Sequence, residues 1–100
     1  MSVIIETVLE ANRLTIAIAG PLNYESRTAF RAAYHKQPPE LAYVIDVRRV
    51  PSMDSSALGM LLILRDHAGG EFSDISIVYC QPAVLKLLKA AKFDKLFKIS

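Results

Sequence analysis

The segment LAYVIDV, residues 41–47, constrains the fold of this chain most strongly. It is short, rich in β-branched residues and apolar except for one charged residue, Asp46. Runs of this kind are typical of a central strand that is buried on both faces of a parallel sheet. Parallel neighbours require crossover connections, usually helices. The rest of the chain is therefore expected to alternate between strands and helices.

Strand and helix patterns do alternate on both sides of this segment, and capping, glycine and proline residues mark the boundaries. The predicted elements are, in order, strands at 2–10 and 13–20 joined by a turn at Ala11-Asn12, a helix capped by Asn23 and running to about His35, the strand at 41–47, a helix from about Ser55 to His67, a strand at 73–79, a helix from Pro82, and a short amphipathic tail at 93–99.

This order predicts a small α/β domain. We expect a mixed, mostly parallel sheet of four to five strands in the order β-β-α-β-α-β-α, with right-handed crossovers and an antiparallel edge formed by the first two strands. The 100 residues are 52% hydrophobic, so the chain can bury a core without disulfides. We expect residues 1–100 to form a single domain.

Composition argues against several classes of function. The net charge of +2 is too balanced to indicate nucleic-acid binding, although residues 81–100 hold five lysines against one aspartate. Cys80 is the only cysteine, so no intrachain disulfide can form. The longest apolar run, 57–64, is too short to cross a bilayer, and the N-terminal residues do not resemble a signal peptide. We expect a cytoplasmic protein with no nucleic-acid partner and no membrane insertion.

The segment VPSMDSSALGMLLIL, residues 50–64, follows the central strand and is the candidate site. Asp46 is expected to end that strand, and Asp54 or Ser55 to cap the next helix. In parallel sheets such loops gather at the edge where ligands bind. The free N–H groups and dipole of a helix N-terminus favour negative charge, so a serine there is a suitable position for a phosphate.

The apolar run of this segment covers all sides of the predicted helix. Part of it must pack on the sheet, and the rest lies under neighbouring helices or forms a patch for a partner protein. A phosphate at the start of such a patch would disrupt an interface.

Other chemistry is poorly supported. His35 and His67 end separate helices far from Ser55, and there is no Gly-x-Ser-x-Gly motif, so a small esterase is a weak alternative. No cluster of His and Cys predicts a metal, and we expect no cofactor. Arg27, Arg31 and His35 are four residues apart on one helix stripe, which fits either a solvated face or a docking stripe for an acidic partner.

Several segments resemble the STAS domains of anti-sigma factor antagonists (anti-anti-sigma factors). MDSSALG is similar to their Asp-Ser-Ser/Thr-Gly-Leu-Gly signature, and GPLNY to their Gly-x-Leu-Asp, with Asn23 in place of the Asp. The segments YVIDVRRVPSMDSS and AKFDKLFKI resemble the strand before the signature and the C-terminal tail. The resemblance therefore covers nearly the whole chain.

The resemblance implies a bacterial partner-switching regulator that is not an enzyme. The unphosphorylated antagonist binds an anti-sigma factor, often a serine kinase of the histidine-kinase ATPase type, and so releases a sigma factor. Phosphorylation of the serine after the Asp breaks the complex, and a serine phosphatase reverses it. In this chain the resemblance makes Ser55 the phosphoacceptor and assigns the phospho-site loop to Asp54, Ser56 and Asp46.

The partner is expected to contact the loop and the first two turns of the helix, with Arg27 and Arg31 at the rim. The predicted contacts are Pro51, Ser52, Met53, Ala57, Leu58, Gly59 and Met60. Ala57 replaces the family's Gly and is expected to stiffen the first turn and to hinder a kinase, while Arg48-Arg49 adds positive charge near the site. The alternative is a STAS subunit that docks on the ATPase of an ABC-type lipid transporter, although such subunits usually lack the complete Asp-Ser-Ser motif.

Overall fold

The computed structural model describes residues 3–100 as a five-stranded sheet with three helices. The strands are β1 (Ile4–Glu10), β2 (Arg13–Ala19), β3 (Ala42–Arg49), β4 (Asp74–Val78) and β5 (Lys98–Ile99). The helices are α1 (Arg27–Ala32), α2 (Ser55–His67) and α3 (Pro82–Ala90). The strands lie side by side in sequence order. The first pair is antiparallel and the others are parallel, so the predicted architecture is confirmed, with the tail supplying β5.

The core lies on one face of this sheet. Its strand residues occupy alternate positions and therefore point to the same side. The helices bury their apolar residues against them in one cluster, which includes Leu14, Ile16, Ile18, Tyr43, Ile45, Val47, Ile75, Ile77, Phe30, Leu61, Leu64, Val84 and Leu88. Among the described residues, no helix is both apolar and long enough to cross a membrane.

The prediction that β3 is buried on both faces is wrong. Tyr43, Ile45 and Val47 are fully buried, whereas the alternating residues Val44 and Asp46 are partly exposed. The reason is that the helices share one face, which leaves the other face of the sheet without a second layer. Because β3 continues to Arg49, the prediction that Asp46 ends the strand is also wrong.

The first helix is shorter than predicted. Asn23 caps a 3₁₀ turn, Tyr24–Ser26, in which its side-chain oxygen accepts a hydrogen bond from the Glu25 N–H at 3.0 Å. The Ser26 hydroxyl ties back to Asn23, accepting from its N–H at 2.9 Å and donating to its carbonyl at 2.8 Å. Asn23 and Ser26 thus form a capping box around a 3₁₀ turn, and the α-helix begins only after this turn. It runs from Arg27 to Ala32.

The hairpin between β1 and β2 has a two-residue turn in which both residues are left-handed, with φ of 46° at Ala11 and 66° at Asn12. Such turns match the twist of the paired strands but require positive φ at both positions. Asn tolerates that conformation, whereas the Cβ of Ala is disfavoured there.

We expect Ala11→Asn to raise the free energy of unfolding by about 0.5–1 kcal/mol, because Asn relieves part of the left-handed strain. The matched variant Ala11→Val should lower it, since a β-branched residue is disfavoured at positive φ. Thermal unfolding followed by circular dichroism measures both. This account of the turn would be contradicted if the two variants melted at the same temperature, or if Ala11→Val melted at a higher temperature than Ala11→Asn.

Candidate functional site

The loop between β3 and α2 is held in place by the loop that follows β2. The Leu22 N–H donates to the Ser52 carbonyl at 3.2 Å, and the Asp54 N–H donates to the Leu22 carbonyl at 3.4 Å. Leu22 also pairs with Met53 in a parallel bridge, and its side chain is fully buried. These contacts continue the pairing of β2 with β3 beyond the strand ends, so the approach to α2 has a defined path.

Asp54 is the residue that caps α2. Its Oδ1 accepts hydrogen bonds from the N–H of Ser56 at 2.9 Å and of Ala57 at 3.3 Å, and its negative charge suits the positive end of the helix dipole. Ser55 is consequently the first residue of the helix, and it is exposed. The cap thus fixes the backbone around Ser55 while its hydroxyl stays accessible.

The apolar run divides into two faces of α2. Ala57, Met60, Leu61 and Leu64 are buried against the core. Ser55 and Gly59 are exposed, and so are Leu62 at 39% and Ile63 at 58%. We call these last four residues the outer stripe of α2. The exposed apolar side chains of this stripe, Leu62 and Ile63, therefore follow Ser55 on the same side of the helix about two turns later.

Two of the predicted contact residues are packed into the core and expose little or no surface beside the Ser55 loop. Ala57 is fully buried and Met60 is 7% exposed, because both belong to the core face of the helix. The methyl group of Ala57 thus points inward and presents no obstacle to a kinase. The other predicted contacts are accessible: Pro51, Ser52, Gly59, Arg27 and Arg31 are exposed, and Met53 and Leu58 are half-buried.

Asp46 also lies apart from the predicted loop. It points to the sheet face opposite the core and binds Arg48, accepting from its backbone N–H at 3.1 Å and its Nε at 3.2 Å. The Arg48 guanidinium stacks on the Tyr79 ring 3.9 Å from its centroid. The hydrogen bond with Asp46 raises the pKa of Arg48. Much of the charge expected from Arg48 near Ser55 is therefore paired within this cluster.

His67 has a structural role. Its Nε2 lies 2.8 Å from the Gln37 carbonyl, and its ring packs edge-on against Tyr34 and Tyr43. It is separated from Ser55 by the length of α2, about 18 Å at the usual helical rise, so it cannot act as a base for that hydroxyl. Burial raises the pKa of the Cys80 thiol, which favours the unreactive protonated form. In residues 3–100, no three His, Cys, Asp or Glu side chains cluster to hold a metal ion.

We expect Asp54→Ala to lower the free energy of unfolding by about 0.5–2 kcal/mol, because two N–H groups of the first turn lose their acceptor. Asp54→Asn keeps the acceptor oxygen and should retain most of that stability. Denaturant unfolding of the two variants measures the difference. Equal losses in both would show that the charge of Asp54, and not its capping bond, stabilises the helix.

The sequence of this chain is similar to those of known proteins over most of its length. The sequence profile of the family described as "Mlab, STAS domain" matches residues 5–98. A STAS-domain containing protein of Pseudomonas aeruginosa (strain UCBPP-PA14) is 47% identical over 92 residues, which are 91% of each chain.

Solved structures of anti-sigma factor antagonists share the fold. One from Mycobacterium paratuberculosis superposes with a TM-score of 0.81 at 22% identity, covering 98% of this chain and 85% of its own. The unphosphorylated form of SpoIIAA gives 0.80 at 15% identity, covering 97% and 88%. The phosphorylated form of Bacillus SpoIIAA gives 0.74 at 14% identity, covering 97% and 91%.

Proposed function

The chain belongs to the STAS domain family, and on that premise we propose that it is an anti-sigma factor antagonist whose binding is switched off by phosphorylation of Ser55. In this proposal the unphosphorylated protein sequesters an anti-sigma factor in the cytoplasm and thereby releases a sigma factor. A serine kinase, which can be the anti-sigma factor itself, adds the phosphate, and a serine phosphatase removes it. The protein acts by binding and not by catalysis.

One observation carries this proposal: an accessible serine hydroxyl stands at the first position of α2, on the same exposed stripe as Leu62 and Ile63. The apolar part of the stripe supplies a surface suited to a protein partner. The hydroxyl supplies a position at which one modification changes the character of that surface. The proposal is supported by the existence of a phosphorylated form of Bacillus SpoIIAA, which shares this fold.

The phosphate acts on the interface more than on the fold. At the start of a helix, its interaction with the dipole is favourable by about 0.3–1 kcal/mol, although the neighbouring Asp54 carboxylate offsets part of this. Covered by a partner without a cation, the same two charges would cost several kcal/mol, which corresponds to at least about 100-fold in affinity. Binding is therefore lost while the domain stays folded.

Paired baits test the proposal. Ser55→Ala and Ser55→Asp are used for affinity capture from the native cell, and an anti-sigma protein should be recovered on Ser55→Ala only. Thermal melts of both variants provide the control, since their melting temperatures should stay within about 8 °C of the wild type. Recovery of a transporter ATPase on both baits would instead support the ABC-transporter alternative.

Mass spectrometry tests the position of the modification. Protein from cells that lack the phosphatase should carry the phosphate on Ser55, since that residue follows the helix cap and is exposed. A phosphate found only on Ser52 or Ser56 would contradict the assignment.

Gly59 provides a second position, independent of Ser55, at which the proposed interface can be tested. It lies one turn after Ser55 in the middle of α2, without a positive φ, and a Cβ added there would meet no atom within 4 Å. A mid-helix glycine costs about 0.5–1 kcal/mol relative to alanine. Since nothing inside the domain requires it, we assign it to the close approach of the partner's backbone.

We expect Gly59→Ala to raise the melting temperature by about 2–8 °C and yet to weaken binding of the anti-sigma protein by about tenfold or more, because the added methyl group overpacks the interface. Asp66→Ala is the matched control. It removes an exposed side chain from the far end of the same helix and should leave the affinity unchanged. A Gly59→Ala variant that is more stable and binds normally would show that this turn lies outside the interface.

A further inference from the structure

A groove of about 500 Å³ lies between α1 and α2. Phe30, Tyr34 and Met60, which are almost fully buried, form its floor. Ile63, from the outer stripe of α2, stands on one side with 58% of its surface exposed. The groove thus has an apolar floor and one apolar side, and Ile63 on that side belongs to the same helix stripe as Ser55.

Positive charge borders the other side of this groove. Arg27 and Arg31 are exposed and one helical turn apart on α1, and His35 follows them. The Arg27 guanidinium stacks 3.7 Å above the centre of the Tyr24 ring, and its Nη1 donates to the Tyr24 carbonyl at 2.8 Å. This arrangement holds Arg27 in position while most of its N–H donors remain available.

Neither arginine is neutralised within residues 3–100. The ion pairs described there are Arg48–Asp46 and Lys98–Asp74, and neither involves α1. The described residues that line the groove include no Asp or Glu. The groove therefore combines an apolar floor with uncompensated positive charge on one rim.

We propose that this groove binds an acidic amphipathic helix of the anti-sigma partner, with aliphatic side chains on the floor and carboxylates on Arg27 and Arg31. The inference rests on the proposed function and extends the interface from the Ser55 loop to α1. Two carboxylates one turn apart on the partner helix match the two arginines, whose Cβ atoms are about 5–6 Å apart at this spacing. Aliphatic anchors in a groove between helices are a recurrent mode of peptide recognition.

A second copy of this chain is a poor occupant. None of its three helices carries two acidic residues, since α1 and α3 have none and α2 has only Asp66. No helix of a second copy therefore offers the two carboxylates one turn apart that this groove would pair with.

Charge reversal tests the rim. The anti-sigma protein recovered on the Ser55→Ala bait is titrated with two double variants of the rim, Arg27→Glu/Arg31→Glu and the neutral pair Arg27→Gln/Arg31→Gln. The control is Lys86→Glu/Lys89→Glu, which makes the same change in charge as the first pair on the exposed face of α3. We expect the first pair to weaken binding by about 10- to 100-fold, the second by less, and the control by no more than about threefold. Melting temperatures confirm that each variant is folded.

Photocrosslinking identifies the occupant. A photoreactive residue at position 63 should crosslink the same anti-sigma protein at a segment with Asp or Glu one turn apart, and one at the exposed Phe72 should not. Replacing the crosslinked acidic residues of the partner with lysine should restore binding to Arg27→Glu/Arg31→Glu.

The outcomes separate the two proposals. If Ser55→Asp abolishes binding but the charge-reversed pair binds like the wild type, the proposal that the groove binds the partner is wrong, while the proposed phosphorylation switch at Ser55 is supported. A crosslink to a segment without acidic residues, or to a second copy of this chain, also overturns the groove. If no anti-sigma protein is recovered on Ser55→Ala, both proposals fail.

Discussion

The one-sided core is the constraint on which the rest of the molecule depends. Fully burying an aliphatic or aromatic side chain contributes about 1.5–3 kcal/mol, and the large fully buried residues of β2, β3 and β4 all lie on the face that carries the helices. The loops that follow the parallel strands β2, β3 and β4 all lie at one edge of the sheet. After each of these strands the chain returns over the same face of the sheet. The loops that precede α1, α2 and α3 are therefore neighbours. The position of Ser55 follows from this topology.

Local signals in the sequence were sufficient to predict α2 and both of its ends. Asp54 is a residue type that commonly caps helices and it stands just before the apolar run, and Ala68-Gly69-Gly70 stops the helix, so both ends were predicted where the structure has them. The antiparallel edge was likewise predictable, because the two-residue turn at Ala11-Asn12 allows little else. These features depend on residues close together in the chain.

Features that depend on distant residues were not predictable. An apolar run such as 41–47 does not reveal how many faces of the sheet carry helices, so the exposed face of β3 was missed. The pairing of Asp46 with Arg48, and the stacking of Arg48 on Tyr79, depend on that open face. Similarly, the spacing of Arg27 and Arg31 was visible in the sequence, but the groove beside them exists only because α2 places Ile63 opposite α1.

The hydrogen bonds that join Leu22 to Ser52 and Asp54 have a consequence for any enzyme that modifies Ser55. Many modifying enzymes bind their targets as extended peptides, but this serine is the first residue of a helix and its approach is pinned to a neighbouring loop. To draw the segment out as a strand, an enzyme would have to break the cap, the bridge and the burial of Leu22 together. An enzyme that binds only extended peptides would therefore be excluded from Ser55 in the folded domain, so the proposed kinase would have to recognise the folded surface.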